Sequence, residues 1–135
     1  MKRSPIRKPI RKQSNRPIAA LKRNAWKAIA DFVKKRDGYR CVTCGSTNGP
    51  MQAGHYEHDV LDYDEININC QCKRCNHFLS GNLGRYGDYL REKYGEVKYQ
   101  ALRVRSQLAK KGRRYYPWEL EAIIVEYKKK LKDLQ

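Results

Sequence analysis

The sequence predicts an α+β fold in which a metal ion staples a short β-hairpin between flanking helices. Three observations predict it. Two Cys-x-x-Cys pairs, Cys41/Cys44 and Cys72/Cys75, stand 27 residues apart. Between them, short alternating runs such as MQAGHYE and ININ are broken by Gly45, Gly49-Pro50 and Gly54, which reads as turns and two short strands. On both sides of this segment apolar residues recur at helical spacing. A chain of 135 residues has room for one small core, so a single domain over 24–135 follows a basic arm over 1–23.

The arm comes first. Residues 1–30 hold ten Lys/Arg and no acid, with Pro5, Pro9 and Pro17 and few large apolar side chains, the composition of a flexible cationic segment. Arg7, Lys8, Arg11, Lys12, Lys22 and Arg23 suit a phosphate backbone, whose condensed counterions are released when cationic side chains replace them. A solubilising or targeting tail is the plainer alternative. An anionic membrane surface would attract the same charges, but no apolar helix face adjoins them. No apolar run approaches the length of a membrane span, and no secretory signal begins the chain. The expected compartment is therefore a reducing cytoplasm, where paired cysteines point to metal and not to disulfides.

Asn24 is placed to cap a helix carrying Trp26, Ile29, Ala30 and Val33, with Asp37-Gly38 as its stop. A second helical zone runs from about Leu83 to Lys110, with interruptions near Gly87 and Gly95. Its apolar face is Leu90, Tyr94, Val97, Ala101, Leu102 and Leu108. Pro117 opens the last helix, where its missing N–H costs little. Leu120, Ile124, Tyr127, Leu131 and Leu134 then repeat at heptad spacing, a seam for the protein's own core or for a second copy.

Charge is distributed unevenly. Thirty Lys/Arg against fourteen Asp/Glu give +16, yet no cation lies between Arg40 and Lys73, where Glu57, Asp59, Asp62, Asp64 and Glu65 cluster. An acidic island in a basic chain suits a hard divalent ion or is a solvated loop. Arg85, Arg91, Arg103, Arg105, Arg113 and Arg114 either face phosphates or form solvated helix surface. Trp26 and Trp118 read as core aromatics, whereas RRYYPW offers rings for base stacking or for burial.

The two-residue spacer lets both thiolates of a knuckle face one tetrahedral ion, so Cys41, Cys44, Cys72 and Cys75 make a four-sulfur structural zinc site. Cys70 is left over, as a small buried side chain or a spare thiol. Such a site has no open coordination position, so any chemistry must lie elsewhere. Between and just after the knuckles stand Gly54-His55-Tyr56, the acidic loop, Asn67 and Asn76.

This order resembles the HNH, or His-Me finger, nucleases, whose ββα-metal core is stapled by such a zinc quartet. The asparagine after the last zinc cysteine is similar to that of phage endonuclease VII. AGHY, LDYDEIN, QCKRCN, SGNL and the terminal EYKKKLKDL resemble the lambdoid-phage NinG (Rap) recombination endonucleases, from about Asn24 to Gln135, with a shorter loop after Tyr56. The resemblance implies that His55 is the general base, Asn67 pins the hairpin loop, and Asn76 holds a catalytic Mg²⁺ or Mn²⁺. It also implies branched DNA as substrate, the cytoplasm of a bacterial host, and a homodimer for two cuts. Together with the arm, Arg113 and Arg114 would grip DNA. Gly54 departs from the family, many members of which place an Asp or His ligand directly before the base. Glu57, His58, Asp59 or Asp62 would then supply the missing ligand, with Asp59 the choice carried forward. Alternatively His55 itself binds metal, and His58 or His77 is the base.

Overall fold

Antiparallel pairing of Met51–His55 (β1) with Ile68–Cys72 (β2) sets Met51 opposite Cys72 and His55 opposite Ile68. The computed structural model describes residues 15–134. Helix α1 (Asn15–Arg36) precedes the hairpin. A π-helical turn (Arg74–Phe78) and helices α2 (Leu83–Tyr94), α3 (Glu96–Leu108) and α4 (Pro117–Asp133) follow it.

The strand pleat alternates side chains between two faces, and each face is covered by helix. On one face Ala53 and Ile68 pack with Ala28, Ile29, Phe32 and Val33 of α1 and Tyr127 of α4. On the other, Asn69 and Gln71 are fully buried although polar. Tyr86 of α2 reaches this second face, donating to Gly54 O at 2.6 Å while its hydroxyl accepts from Asn69 Nδ2 at 3.0 Å. A two-stranded sheet alone is marginal in water; this one is sandwiched, and every β2 residue is buried.

Helix α1 begins at Asn15, nine residues before the expected Asn24 cap, so Lys22 and Arg23 stand on an ordered helix and not on a flexible arm. Asn24 is simply an exposed position inside it. Arg7, Lys8, Arg11 and Lys12 lie outside the described residues. The helix does stop at Asp37-Gly38, with Gly38 at φ +68°. There Arg36 donates to Glu65 O (2.8 Å), Ile68 O (3.1 Å) and Asn69 Oδ1 (2.8 Å), and the buried Asp37 carboxylate accepts from Cys70 N at 2.9 Å. A charged pair thus ties the end of α1 to β2.

Gly87 does not interrupt α2. A Cβ there would lie 3.0 Å from Tyr56 Oη, so this glycine permits close packing. The break between α2 and α3 falls at Gly95 (φ +87°). The expected apolar face is only half realised: Leu90 and Leu102 are buried with Tyr86 and Tyr99, and Tyr94 packs at their edge. Val97 (85% exposed), Ala101 and Leu108 (80%) face solvent, because the turn at Gly95 resets the helical phase. In α4, Leu120 and Tyr127 are buried, and Ile123, Leu131 and Leu134 pack on the α1 cluster, with Ile123 taking the contact expected of Ile124. The seam is therefore taken up in part by packing on the α1 cluster.

Three of the five acids in the island are paired with helix cations. Arg103 pairs with Glu57, Arg105 with Asp64 at 2.9 Å and Lys130 with Glu65 at 2.9 Å, while Tyr115 donates to Asp62 at 3.1 Å. Among the described residues the four paired cysteines form the one group of three or more Cys, His and acids close enough together to hold a metal ion. Arg103 and Arg105 are thereby accounted for as tertiary clasps. No helix among the described residues is long and apolar enough to cross a membrane.

Candidate active site

The four paired thiols converge from a loop and a strand-to-helix junction. Their Sγ atoms all lie within 4.8 Å of one another, and Cys44 and Cys72 Sγ are 3.7 Å apart. A tetrahedral ion with metal–sulfur bonds of about 2.3 Å sets sulfur–sulfur edges of about 3.8 Å, so the quartet can hold a structural metal such as zinc. Burial alone would raise the Cys41 thiol pKa, but the Thr43 hydroxyl at 3.1 Å and neighbouring backbone N–H groups bring it down to about 6. At Cys44 the Ser46 N–H acts downward, yet burial and the three facing sulfurs push it up to about 12. Four thiols this close ionise together only around a cation. Cys70 lies outside the quartet, buried in β2, with burial raising it to about 12.

His55 ends β1 on the face turned to α1. Its ring stacks on Trp26, centroids 4.9 Å apart and planes 16° from parallel. A carbonyl only accepts, so the 3.3 Å contact to Asp62 O places the proton on Nε2 and leaves Nδ1 as the acceptor of a neutral ring. Burial disfavours the imidazolium and holds the pKa below the ordinary 6.5, against the pull of the Asp62 carbonyl and carboxylate.

The loop carrying Asp62 is held by Asn67, which is fully buried just before β2. Asn67 Oδ1 accepts from Glu57 N at 2.7 Å, and Nδ2 donates to Glu57 O (3.1 Å), Leu61 O (3.3 Å) and Val60 O (3.4 Å). One amide thereby closes a ten-residue excursion whose carbonyl orients His55.

Asn76 lies across the opposite face of β1, where its Nδ2 donates to Gln52 Oε1 at 2.9 Å. Its Oδ1 is directed at Gly54: a Cβ on Gly54 would lie 2.7 Å from it and 2.1 Å from Gln71 Oε1. Glycine is required here by space and not by backbone conformation. Gln71 Oε1 is buried and lacks a hydrogen-bond partner, a condition that ordinarily costs roughly 1–3 kcal/mol. His55 and Asn76 thus lie on the two sides of the end of β1. Asp59 lines the cleft that holds His55. His58 Nε2 comes near Gly81, 3.4 Å from where a Cβ would stand, and His77 is exposed against Phe78.

Around His55 opens a cleft of about 540 Å³, lined by Lys22, Arg23, Trp26, Asp59, Asp62 and Arg113 among others. An adjoining groove of about 690 Å³ runs between the start of α1 and Tyr115–Pro117, with Lys22 and Arg114 on its walls. Three cations expected to bind nucleic acid, Lys22, Arg23 and Arg113, therefore meet around the imidazole, and Arg114 stands on the adjoining groove, although Lys22 and Arg23 are some ninety residues from Arg113 and Arg114.

Residues 2–135 match the family model described as Bacteriophage Lambda NinG protein. The chain belongs to the NinG family. It is 35% identical over 132 residues to protein ninG of Salmonella phage P22, and 33% identical over 132 residues to those of Escherichia phage lambda and Escherichia phage 933W. Each match covers 93% of this chain, which spans 63–64% of the length of those relatives. No solved structure gives a significant match.

Two participants in this NinG-family site were missed by sequence reasoning. Trp26 satisfied helical periodicity and so read as core; that its ring faces an imidazole depends on β1 crossing α1. Gln71 carried no signal except its place in QCKRCN, one residue before a cysteine of the quartet.

Proposed function

We propose that this NinG-family chain is a metal-dependent endonuclease of phage recombination that hydrolyses phosphodiesters in branched DNA, such as Holliday junctions and D-loops. The observation that carries the reading is a neutral His55, held by Trp26 and the Asp62 carbonyl, on the wall of a cleft bearing Lys22, Arg23 and Arg113. A hairpin followed by a helical turn, with a thiol quartet at their junction, supports a His-Me finger core. In this reading zinc in the quartet fastens β2 to the Asn76 turn.

His55 Nδ1 takes a proton from water, and the resulting hydroxide attacks phosphorus. Lys22, Arg23 and Arg113 hold the backbone in the cleft, and Asn67 keeps the Asp62 carbonyl on Nε2. A Mg²⁺ or Mn²⁺ ion, when bound, supplies Lewis-acid stabilisation of charge on the phosphate and the leaving 3′ oxygen. Asn76 Oδ1, aimed past Gly54 at the end of β1, is the side-chain oxygen that would hold it. Asn76 Oδ1 is an oxygen donor of the kind such an ion takes, and glycine at 54 places no side chain in front of it. The reaction belongs in the cytoplasm of the bacterial host, and resolution of a four-way junction by two cuts calls for two copies.

One observation favours a non-catalytic zinc module that grips DNA by charge: His55 faces α1, whereas Asn76, on the π-helical turn, approaches β1 from its other face. The test offers labelled four-way junction and matched linear duplex, with Mg²⁺ or Mn²⁺, to the full chain and to His55→Ala. The expected result is junction cleavage, lost in the variant with DNA binding and bound zinc retained. Binding without scission supports the module, and equal nicking of both substrates supports a duplex nickase.

A further inference from the structure

The corner that opens α4 presents two aromatic side chains to solvent. Tyr116 is 66% and Trp118 67% exposed, with ring planes 11° from parallel and centroids 6.4 Å apart. That separation is near the outer end of the roughly 4.5–7 Å typical of aromatic pairs, so neither ring spends its face on the other. The neighbouring Tyr115 shows the contrast. It is half-buried, meets Tyr63 edge-on at 5.1 Å, carries the Arg113 guanidinium 4.5 Å over its face and donates to Asp62. Tyr116 and Trp118 are held without being covered: Tyr116 N donates to Glu119 Oε2 at 2.8 Å, Arg113 donates to Glu119 Oε1 at 2.5 Å, and Pro117 stiffens the backbone between the two rings.

Beside this corner runs the groove of about 690 Å³, with Lys22, Arg114, Tyr115 and Tyr116 on its walls. Lys22 and Tyr115 also line the His55 cleft, so a strand lying in the groove continues into that cleft. Cations along a groove, with free ring faces at its edge, suit a single nucleic-acid strand: phosphates take the charge and unpaired bases take the rings. Duplex DNA cannot use the rings in this way, because its base faces are already stacked on one another.

We propose that Tyr116 and Trp118 form a stacking platform for unpaired bases of a DNA strand whose backbone passes along the groove towards His55. This rests on the reading of the His55 cleft as the place where branched DNA is cut, and it names what distinguishes a branch from plain duplex there: bases free to stack. The phosphate-binding cations attract any DNA. The two rings add affinity only for a strand that has lost its pairing partner.

The experiment measures, by fluorescence anisotropy without Mg²⁺ or Mn²⁺, binding of the zinc-loaded full chain to a short oligothymidylate and to an abasic strand of the same length and charge. Wild type should bind the strand with bases tighter by about fivefold or more, the scale of one stacked base. Trp118→Ala and Tyr116→Ala should each reduce that preference, and together abolish it, while Trp118→Phe and Tyr116→Phe should keep most of it. Affinity for linear duplex and the salt slope should not move, which separates stacking from phosphate contact. In a Trp26→Phe chain, where Trp118 is the remaining tryptophan, its emission should be quenched by oligothymidylate and not by the abasic strand. Circular dichroism melts report whether each variant keeps its fold. Equal binding of both strands by wild type, or an undiminished preference in the folded double alanine variant, overturns the proposal; if that variant does not fold, unquenched Trp118 emission does so instead. A chain that prefers bases through these rings but cuts no junction spares the platform and sinks the nuclease. One that cuts junctions and binds both strands equally does the reverse.

Discussion

The His55 imidazole lies nearly flat on the Trp26 indole, 4.9 Å between centroids, so a helix residue far upstream sets the orientation and dryness of a strand-end histidine. Trp26 thereby acts as a positioning residue. Trp26→Leu should return the His55 pKa towards 6.5 and lower junction cleavage at least tenfold, whereas Trp26→Phe should retain most of both. Histidine titration by NMR, alongside cleavage rates, checks this; an unmoved pKa in Trp26→Leu rules out the stacking as its cause.

The pH profile follows from the same burial. A general base must be neutral, and the folded pKa of His55 is below 6.5. At saturating Mn²⁺ the cleavage rate should stay level as pH falls to 6.5 and decline only beneath it. Stability moves in the same direction. Below 6.5 the unfolded chain takes up a proton that the folded chain refuses, so His55 subtracts stability as pH falls towards its folded pKa. A midpoint of the rate profile above 6.5 would exclude His55 as the titrating base.

Removal of the structural metal should unfold the domain, since sites of this class contribute roughly 10 kcal/mol. Circular dichroism during chelation should show loss of helix, and mass spectrometry should find one zinc in wild type. Cys44→Ser and Cys72→Ser should lose it, while Cys70→Ala should keep it, because Cys70 lies outside the quartet.

Asn67→Ala removes the bonds that close the loop from Glu57 to Leu61. We expect about 3 kcal/mol of destabilisation in thermal melts, from lost bonds and newly orphaned backbone groups. Cleavage should fall while zinc content stays at one, since the quartet is built from other residues.

Lys22, Arg23 and Arg113 should act through phosphate contacts alone. Substituting each by Ala should lower the slope of log affinity against log salt by about 0.9, with no change in preference among sequences. Fluorescence anisotropy over a salt series measures it. An unchanged slope would place DNA elsewhere than in the His55 cleft.

Several features were legible because they are local. The Cys-x-x-Cys spacing specifies a thiol knuckle whatever surrounds it, and the alternation in MQAGHYE and ININ marks two strands that pair across the intervening loop, although the second runs over Ile68–Cys72, two residues beyond the start of ININ. Asp37-Gly38 ends a helix and Pro117 begins one for reasons confined to a few residues. The phase of the second helical zone was not legible, because the φ +87° turn at Gly95 rotates α3 away from the face on which Val97 and Leu108 would have been buried.

By itself the sequence determined which residues can bind metal, accept a proton or attract phosphate, since those capacities belong to side-chain chemistry and near-neighbour spacing. Tertiary structure alone decided which of them meet. Crossing of β1 over α1 joins His55 to Trp26, α3 and α4 pair Glu57, Asp64 and Glu65 of the acidic island with cations, and burial of β2 on both faces encloses Gln71. Each is a contact between segments distant along the chain, created by packing two apolar faces around a hairpin, and no local pattern encodes which polar groups that packing will bring together.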